Sequence, residues 1–144
     1  MKIILMAADH AGFKLKEKLK DYLAGIGYLA RDLGTYSADS CDYPDFAAAL
    51  ARKISQGKYR QGILICKSGI GSSIVANRFP GVRAALVYNV PAGRLSRAHN
   101  DSNVLVLGAG FVKAALAKRI LKRWLATEFQ GGRHRRRINK IKKN

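Results

Sequence analysis

Five short apolar runs, at residues 2–7, 28–33, 63–66, 82–87 and 103–107, alternate along this chain with longer stretches of helical periodicity. Ile63-Leu64-Ile65-Cys66 and Val104-Leu105-Val106-Leu107 contain no polar residue, the pattern of strands buried on both faces of a parallel sheet. Residues 13–23 place apolar side chains at 15, 19, 22 and 23, one stripe of a helix that Gly25 and Gly27 end. Pro44 opens a helix over 45–55 that Gly57 closes. The spacing predicts further helices over 72–79, closed by Pro80-Gly81, and over 91–99. A long one follows at 111–129, with apolar residues at 112, 116, 120, 121, 124 and 125. Gly131-Gly132 breaks it, and a short basic helix or arm from about residue 130 closes the chain. Strands alternating with helices require right-handed crossovers. The expected fold is therefore α/β, a Rossmann-like three-layer α/β/α arrangement around a five-stranded parallel sheet. No repeat or linker divides residues 1–144, which read as one domain.

Ligands of such sheets gather outside the carboxyl ends of the strands. Those ends carry Asp9-His10, Cys66 to Gly71, Tyr88-Asn89 and Gly108 to Gly110, and His99-Asn100 is expected to reach the same rim. Asp9 is placed to cap the helix that follows it. The segment 63–79 reads as strand, glycine loop and helix, whose backbone N–H groups and dipole favour an anion. Its two glycines match neither a dinucleotide fingerprint nor a Walker loop. Cys66 stands where the strand ends, beside a lysine and a helix start, a setting that favours the reactive thiolate. It could serve as nucleophile or general base. The plainer alternative is a small buried residue at a strand end.

At 144 residues and 48% hydrophobic content, the chain can bury a real core and is not of disordered composition. No apolar run approaches the ~18 residues of a membrane span. The start, Met1 to Met6 followed at once by Ala7-Ala8-Asp9-His10, is too short and too soon charged for a secretory signal, so a cytoplasmic protein is expected. Cys41 and Cys66 make neither a disulfide framework nor a metal motif. Charge is less ordinary: 27 Lys and Arg oppose 9 Asp and Glu, a net +18. Arg133, Arg135, Arg136, Arg137, Lys140, Lys142 and Lys143 crowd the end of the chain. Three readings stay open: a surface for phosphate backbones, a solvated basic helix, or a pair of arginines holding a small phosphorylated ligand.

Several separate motifs point further. They are Asp9-His10-Ala11-Gly12-Phe13, Asp42-Tyr43-Pro44, Gly62 to Gly71, Leu95-Ser96-Arg97-Ala98-His99-Asn100-Asp101, Asn103-Val104-Leu105 and Glu128-Phe129-Gln130-Gly131-Gly132-Arg133-His134. In this order, from Lys2 to about Lys140, the chain resembles the type B ribose-5-phosphate isomerases, which share a family with the galactose-6-phosphate isomerase subunits. The resemblance implies interconversion of ribose 5-phosphate and ribulose 5-phosphate through an enediolate, with neither metal nor organic cofactor. It implies Cys66 as the base, Ser68 as a proton exchanger with the substrate oxygens and His99 as the residue that opens the sugar ring. Asp9 and Asn100 would hold hydroxyls. Tyr43, Lys67, Gly69, Ile70 and Gly71 would line the substrate, the loop N–H groups serving as an oxyanion hole. His10, Arg133 and Arg137 would meet the phosphate, the arginines coming from the partner subunit of a homodimer or homotetramer. Other phosphosugars, allose 6-phosphate or galactose 6-phosphate, are the near alternatives. A non-catalytic phosphosugar- or nucleic-acid-binding relative is the distant one.

Two positions depart from the family pattern as the resemblance gives it: Lys67 stands where glycine is usual, and Gly110 where many relatives carry a phosphate-holding arginine. If position 67 needs a positive φ, a lysine there is strained by ~1 kcal/mol or more. Lys67 or Lys113 is expected to replace the missing charge in part. The segment Asn89 to Gly93 also differs, and its proline and glycine could alter the wall beside His99.

Overall fold

A computed structural model describes residues 2–141; Lys142 and Lys143 of the basic tail lie outside them. The strands are β1 (Lys2–Ala8), β2 (Tyr28–Asp32), β3 (Gly62–Cys66), β4 (Ala84–Leu86) and β5 (Val104–Gly108). The helices are α1 (Phe13–Gly25), α2 (Tyr43–Ser55), α3 (Ile70–Ala76), α4 (Val90–Ala98), α5 (Ala114–Ala126) and α6 (Arg133–Ile138). All pairings are parallel, in the order β2-β1-β3-β5-β4. The α/β expectation holds in layers and strand number.

Side chains alternate across each strand, so each central strand feeds two cores. Ile4, Met6, Ile63, Ile65, Leu105 and Leu107 pack under α1 and α5, with Leu19, Leu23, Ile120 and Trp124. Leu5, Ala7, Leu64, Val104 and Val106 pack on the other face, under Leu50, Ala51 and Ile54 of α2. β1 feeds β2 on one side and pairs with β3 on the other, which opens a crevice at the carboxyl ends of β1 and β3.

Three elements end earlier or later than their periodicity predicts. The helix expected over 72–79 begins at Ile70, because Gly69 at φ 83° makes the turn into it. It ends at Ala76, where both side-chain amide atoms of Asn77 bond the backbone of Ala84. The helix expected over 111–129 runs only from Ala114 to Ala126. Phe111 and Val112 turn back onto the Gly108 carbonyl, and beyond Thr127 the chain extends so that Gln130 N–H reaches the carbonyl of Ala98. β4 keeps three of its six expected residues.

Lys16, fully buried on α1, reaches the Asp32 carboxylate at the end of β2, joined by Lys20 at 2.8 Å. Burial raises the Asp32 carboxyl, but hydrogen bonds from Lys16, Lys20 and the Gly34 N–H outweigh it and hold it below the usual range. That stabilisation is present above the ordinary carboxylate value and is lost as pH falls through the lowered one. No helix among the described residues is long and apolar enough to cross a membrane.

Candidate active site

β3 delivers Cys66 to the carboxyl edge of the sheet, 4% exposed. Its thiol accepts the Gly69 N–H at 3.2 Å. That bond exists because Gly69 is left-handed, which folds the loop back over the strand end. Ser68 Oγ accepts the Ile70 N–H at 3.1 Å and so keeps its own proton to donate elsewhere. The loop N–H groups are therefore divided: Gly69 serves the sulfur and Ile70 serves Ser68. Those of Gly71 and Ser72 have no acceptor among the described residues and remain for an oxyanion. Tyr88 donates its hydroxyl to the Ser68 carbonyl at 2.6 Å, and its ring stacks on Phe111. Nothing in the sequence pattern pointed to Tyr88 as a support of this loop.

Asp9 does not cap α1, whose N-cap is Gly12 without a side-chain bond. Instead its Oδ1 accepts the N–H groups of Ala11 and Gly12 at 3.0 and 3.1 Å, fixing the turn at the end of β1. His10 stands beside it. His10 Nδ1 lies 3.2 Å from both the N–H and the carbonyl oxygen of Cys41, which ties the ring to that loop and leaves Nε2 without a partner in it. Tyr43, 39% exposed, lies flat against Gly71: a Cβ there would fall 2.4 Å from the tyrosine ring.

Lys67 has no positive φ; among the described non-glycine residues only Asp101 does. The strain expected at Lys67 is absent. Its side chain crosses Gly110, with Cε and Cδ 2.9 and 3.1 Å from where a Cβ of residue 110 would stand. The two departures are thus one feature, a lysine stem lying in the space that a larger residue 110 would fill.

The second cluster lies elsewhere. α4 runs back against the strands, so His99, at its C-cap, lies at the amino edge of the sheet. Arg83, just before β4, donates from Nε to the carbonyls of Asn100 and Asp101 at 3.1 and 3.0 Å. Asn103 passes its carbonyl to Gly62 at the start of β3. The five residues of β3, at about 3.3 Å each, set this edge roughly 15 Å from Cys66. His99 and Asn100 therefore do not reach the rim of Cys66 within one chain, contrary to the expectation above.

What they meet instead is α6. Its His134 ring stacks on His99 with centroids 4.2 Å apart and planes 10° from parallel. His99, Asn100, His134, Arg137, Ile138 and Ile141 line a cleft of about 270 Å³. Arg135 turns away, onto the Phe129 ring and towards Asp101. Arg133 and Arg137, one turn apart, are exposed and carry no ion pair among the described residues.

One edge of the sheet thus carries a thiol, a glycine loop and a histidine, and the other carries two stacked histidines and two arginines without ion pairs among the described residues. The chain is an α/β protein with two separate clusters of titratable and polar groups, one at each edge of its parallel sheet. The chain belongs to the ribose/galactose isomerase family, which it matches over residues 4–141. It is 42% identical over 141 residues to ribose-5-phosphate isomerase B of Escherichia coli strain K12, covering 98% of this chain and 95% of that one. The solved ribose 5-phosphate isomerase of Thermotoga maritima superposes with a TM-score of 0.94 at 48% identity, covering 97% of each chain. That of Mycoplasma genitalium, solved with bound ribulose-5-phosphate, gives 0.93 at 40% identity over 96% of this chain and 93% of that one.

Proposed function

We propose that this protein is an aldose–ketose isomerase that interconverts ribose 5-phosphate and ribulose 5-phosphate, with Cys66 as the base. The observation that carries this reading is the Cys66 thiol. It is nearly buried at the end of β3, accepts the Gly69 N–H and sits at the start of α3. Thiolate is the form of sulfur that takes a proton from carbon, and the Gly69 N–H is placed to hydrogen-bond it. The thiolate removes the hydrogen on C2 of the open aldose, and the electrons move to the carbonyl oxygen, giving an enediolate. The Gly71 and Ser72 N–H groups hold that oxygen. The Ser68 hydroxyl shuttles a proton between the two substrate oxygens, and the thiol returns its own to C1. Nothing is oxidised overall. His10 Nε2 meets the phosphate from the same side, and Asp9 Oδ2 holds a hydroxyl.

Ring opening and most phosphate binding need His99, Asn100, Arg133 and Arg137, which one chain holds at its far edge. The protein therefore works as a symmetric dimer or a tetramer built from such dimers, each site joining the Cys66 edge of one copy to the His99 edge of its partner. Ile70 and Ile74, one turn apart on α3, are 50% and 57% exposed beside the Cys66 loop and supply an apolar face for that contact. Free thiols at Cys41 and Cys66 suit a reducing cytoplasm. The remaining basic residues, Arg136 and Lys140 among them, form a solvated face.

Mixing inactive chains tests the whole scheme. Cys66→Ala and His99→Asn chains, each inactive alone on ribose 5-phosphate, are unfolded and reassembled together. Half of the dimers are then mixed, and each holds one intact site, so about a quarter of wild-type activity returns. No recovery from mixed dimers would mean that each chain builds its own site. Wild-type protein that turns over allose 6-phosphate in preference would move the substrate to six carbons. Salt-dependent nucleic-acid binding without turnover would favour a non-catalytic role.

A further inference from the structure

We propose that His134 is a positioning residue for ring opening, its imidazole stacked on His99 so that the His99 ring is held edge-on to the sugar. The inference rests on the isomerase reading and extends it to a residue that the motifs include but give no role. Three observations carry it. The two rings are nearly coplanar in orientation, 10° apart, with centroids 4.2 Å apart, and both line the cleft that also holds Asn100 and Arg137. His134 is 6% exposed, and its Nε2 is buried without a hydrogen-bond partner among the described residues.

The chemistry explains the use. Opening a furanose breaks the bond between the anomeric carbon and the ring oxygen. One proton leaves the anomeric hydroxyl and one arrives on the ring oxygen, so composition is unchanged. A single imidazole can do both only if its plane is fixed and a nitrogen faces the substrate. His99 ends a helix and is half-buried, so its own backbone bond to Leu95 does not set its ring. The stack does. Burial, with Arg133, His99 and Arg137 nearby, pushes the His134 imidazole below its ordinary range. His134 is therefore neutral at pH 7 and offers a π face to His99 when His99 takes up the proton. Arg133 and Arg137 on α6 and His99 at the end of α4 are the charged or titratable groups around it. Asp101 is engaged by Arg97 and Arg83 and supplies no counter-charge to the stack.

The test separates ring opening from proton transfer at carbon. Turnover of ribose 5-phosphate, which is mostly cyclic in solution, is measured beside deuterium uptake at C1 of ribulose 5-phosphate in heavy water. The uptake passes through the enediolate and needs no ring step. His134→Ala should lower turnover of the cyclic sugar by roughly tenfold or more and leave deuterium uptake within about twofold. His134→Phe keeps a stacking face and should stay within about threefold of wild type in both. Equal losses in turnover and uptake, equal loss in the Ala and Phe variants, or no loss at all would overturn the positioning role. Absence of both turnover and uptake in unsubstituted protein would instead overturn the isomerase reading itself.

Discussion

The two edges of the sheet solve different problems with different materials. At the carboxyl edge, between Cys66 and Gly71, the working groups are largely backbone: the Gly69 N–H on the thiol and the Ile70 N–H on Ser68. They sit on a central strand paired on both sides. At the amino edge the working groups are long or aromatic side chains, His99 and Asn100 after α4 and His134 and Arg137 on α6, joined across more than thirty residues of chain. Proton transfer at carbon needs atoms held to a few tenths of an ångström, which the sheet provides. On the proposed function the phosphate needs charge and reach, which Arg133 and Arg137 would supply. On that reading the rigid half carries out proton transfer at carbon, and the adaptable half opens the sugar ring and recognises the phosphate.

If that division is right, the two halves should fail differently. Cys66→Ala removes the base and should cut turnover by roughly a hundred- to ten-thousand-fold. The fold should survive, because the substitution leaves only a small void at a strand end; near-wild-type turnover with the same melting temperature would remove the thiol from the mechanism. Arg137→Ala is expected to act on affinity instead. Loss of one charged hydrogen-bond partner costs about 1.5–3 kcal/mol, or roughly ten- to 150-fold in KM, with kcat much less changed. A fall in kcat at constant KM would erase that distinction, because Arg137 would then be acting in proton transfer rather than in phosphate binding.

The same contrast explains what could be read in advance. The carboxyl half is contiguous, and strand, glycine loop and cysteine are visible in residues 63–71. The five strands were legible because fully apolar runs such as 104–107 admit few other readings. His99 was assigned to the wrong edge. The error lies in direction, because a helix that returns antiparallel to its strand ends at the amino edge, whatever its motif suggests. The ends of α3 and α5 were missed because tertiary bonds set them, Asn77 to Ala84 and Gln130 to Ala98. His134 stood in a motif but without a role, because nothing in Arg133-His134-Arg135 says which side chain turns inward. One structural cue would have found it: α6 must pack on the end of α4, and only His134 and Ile138, one turn apart, are buried on it.

The smallest effect sharpens the comparison most. If the carboxyl edge makes only chemistry, its exposed cation Lys67 is incidental. If it shares in recognition, Lys67 lends the phosphate a charge, carried across Gly110 by its own stem. Lys67→Gly distinguishes the two. An exposed charge of this kind is worth about 0.2–1 kcal/mol, so KM should rise by roughly two- to fivefold while kcat holds. The stem also occupies the space above Gly110, so Gly110→Arg should be tolerated better beside Lys67→Gly than alone, and should return part of the lost affinity. A lower kcat at unchanged KM would place the ammonium near the thiolate instead, making Lys67 part of the chemistry of its own edge. No change in either constant would leave the lysine as packing over Gly110, and the phosphate to His10 and the partner's edge.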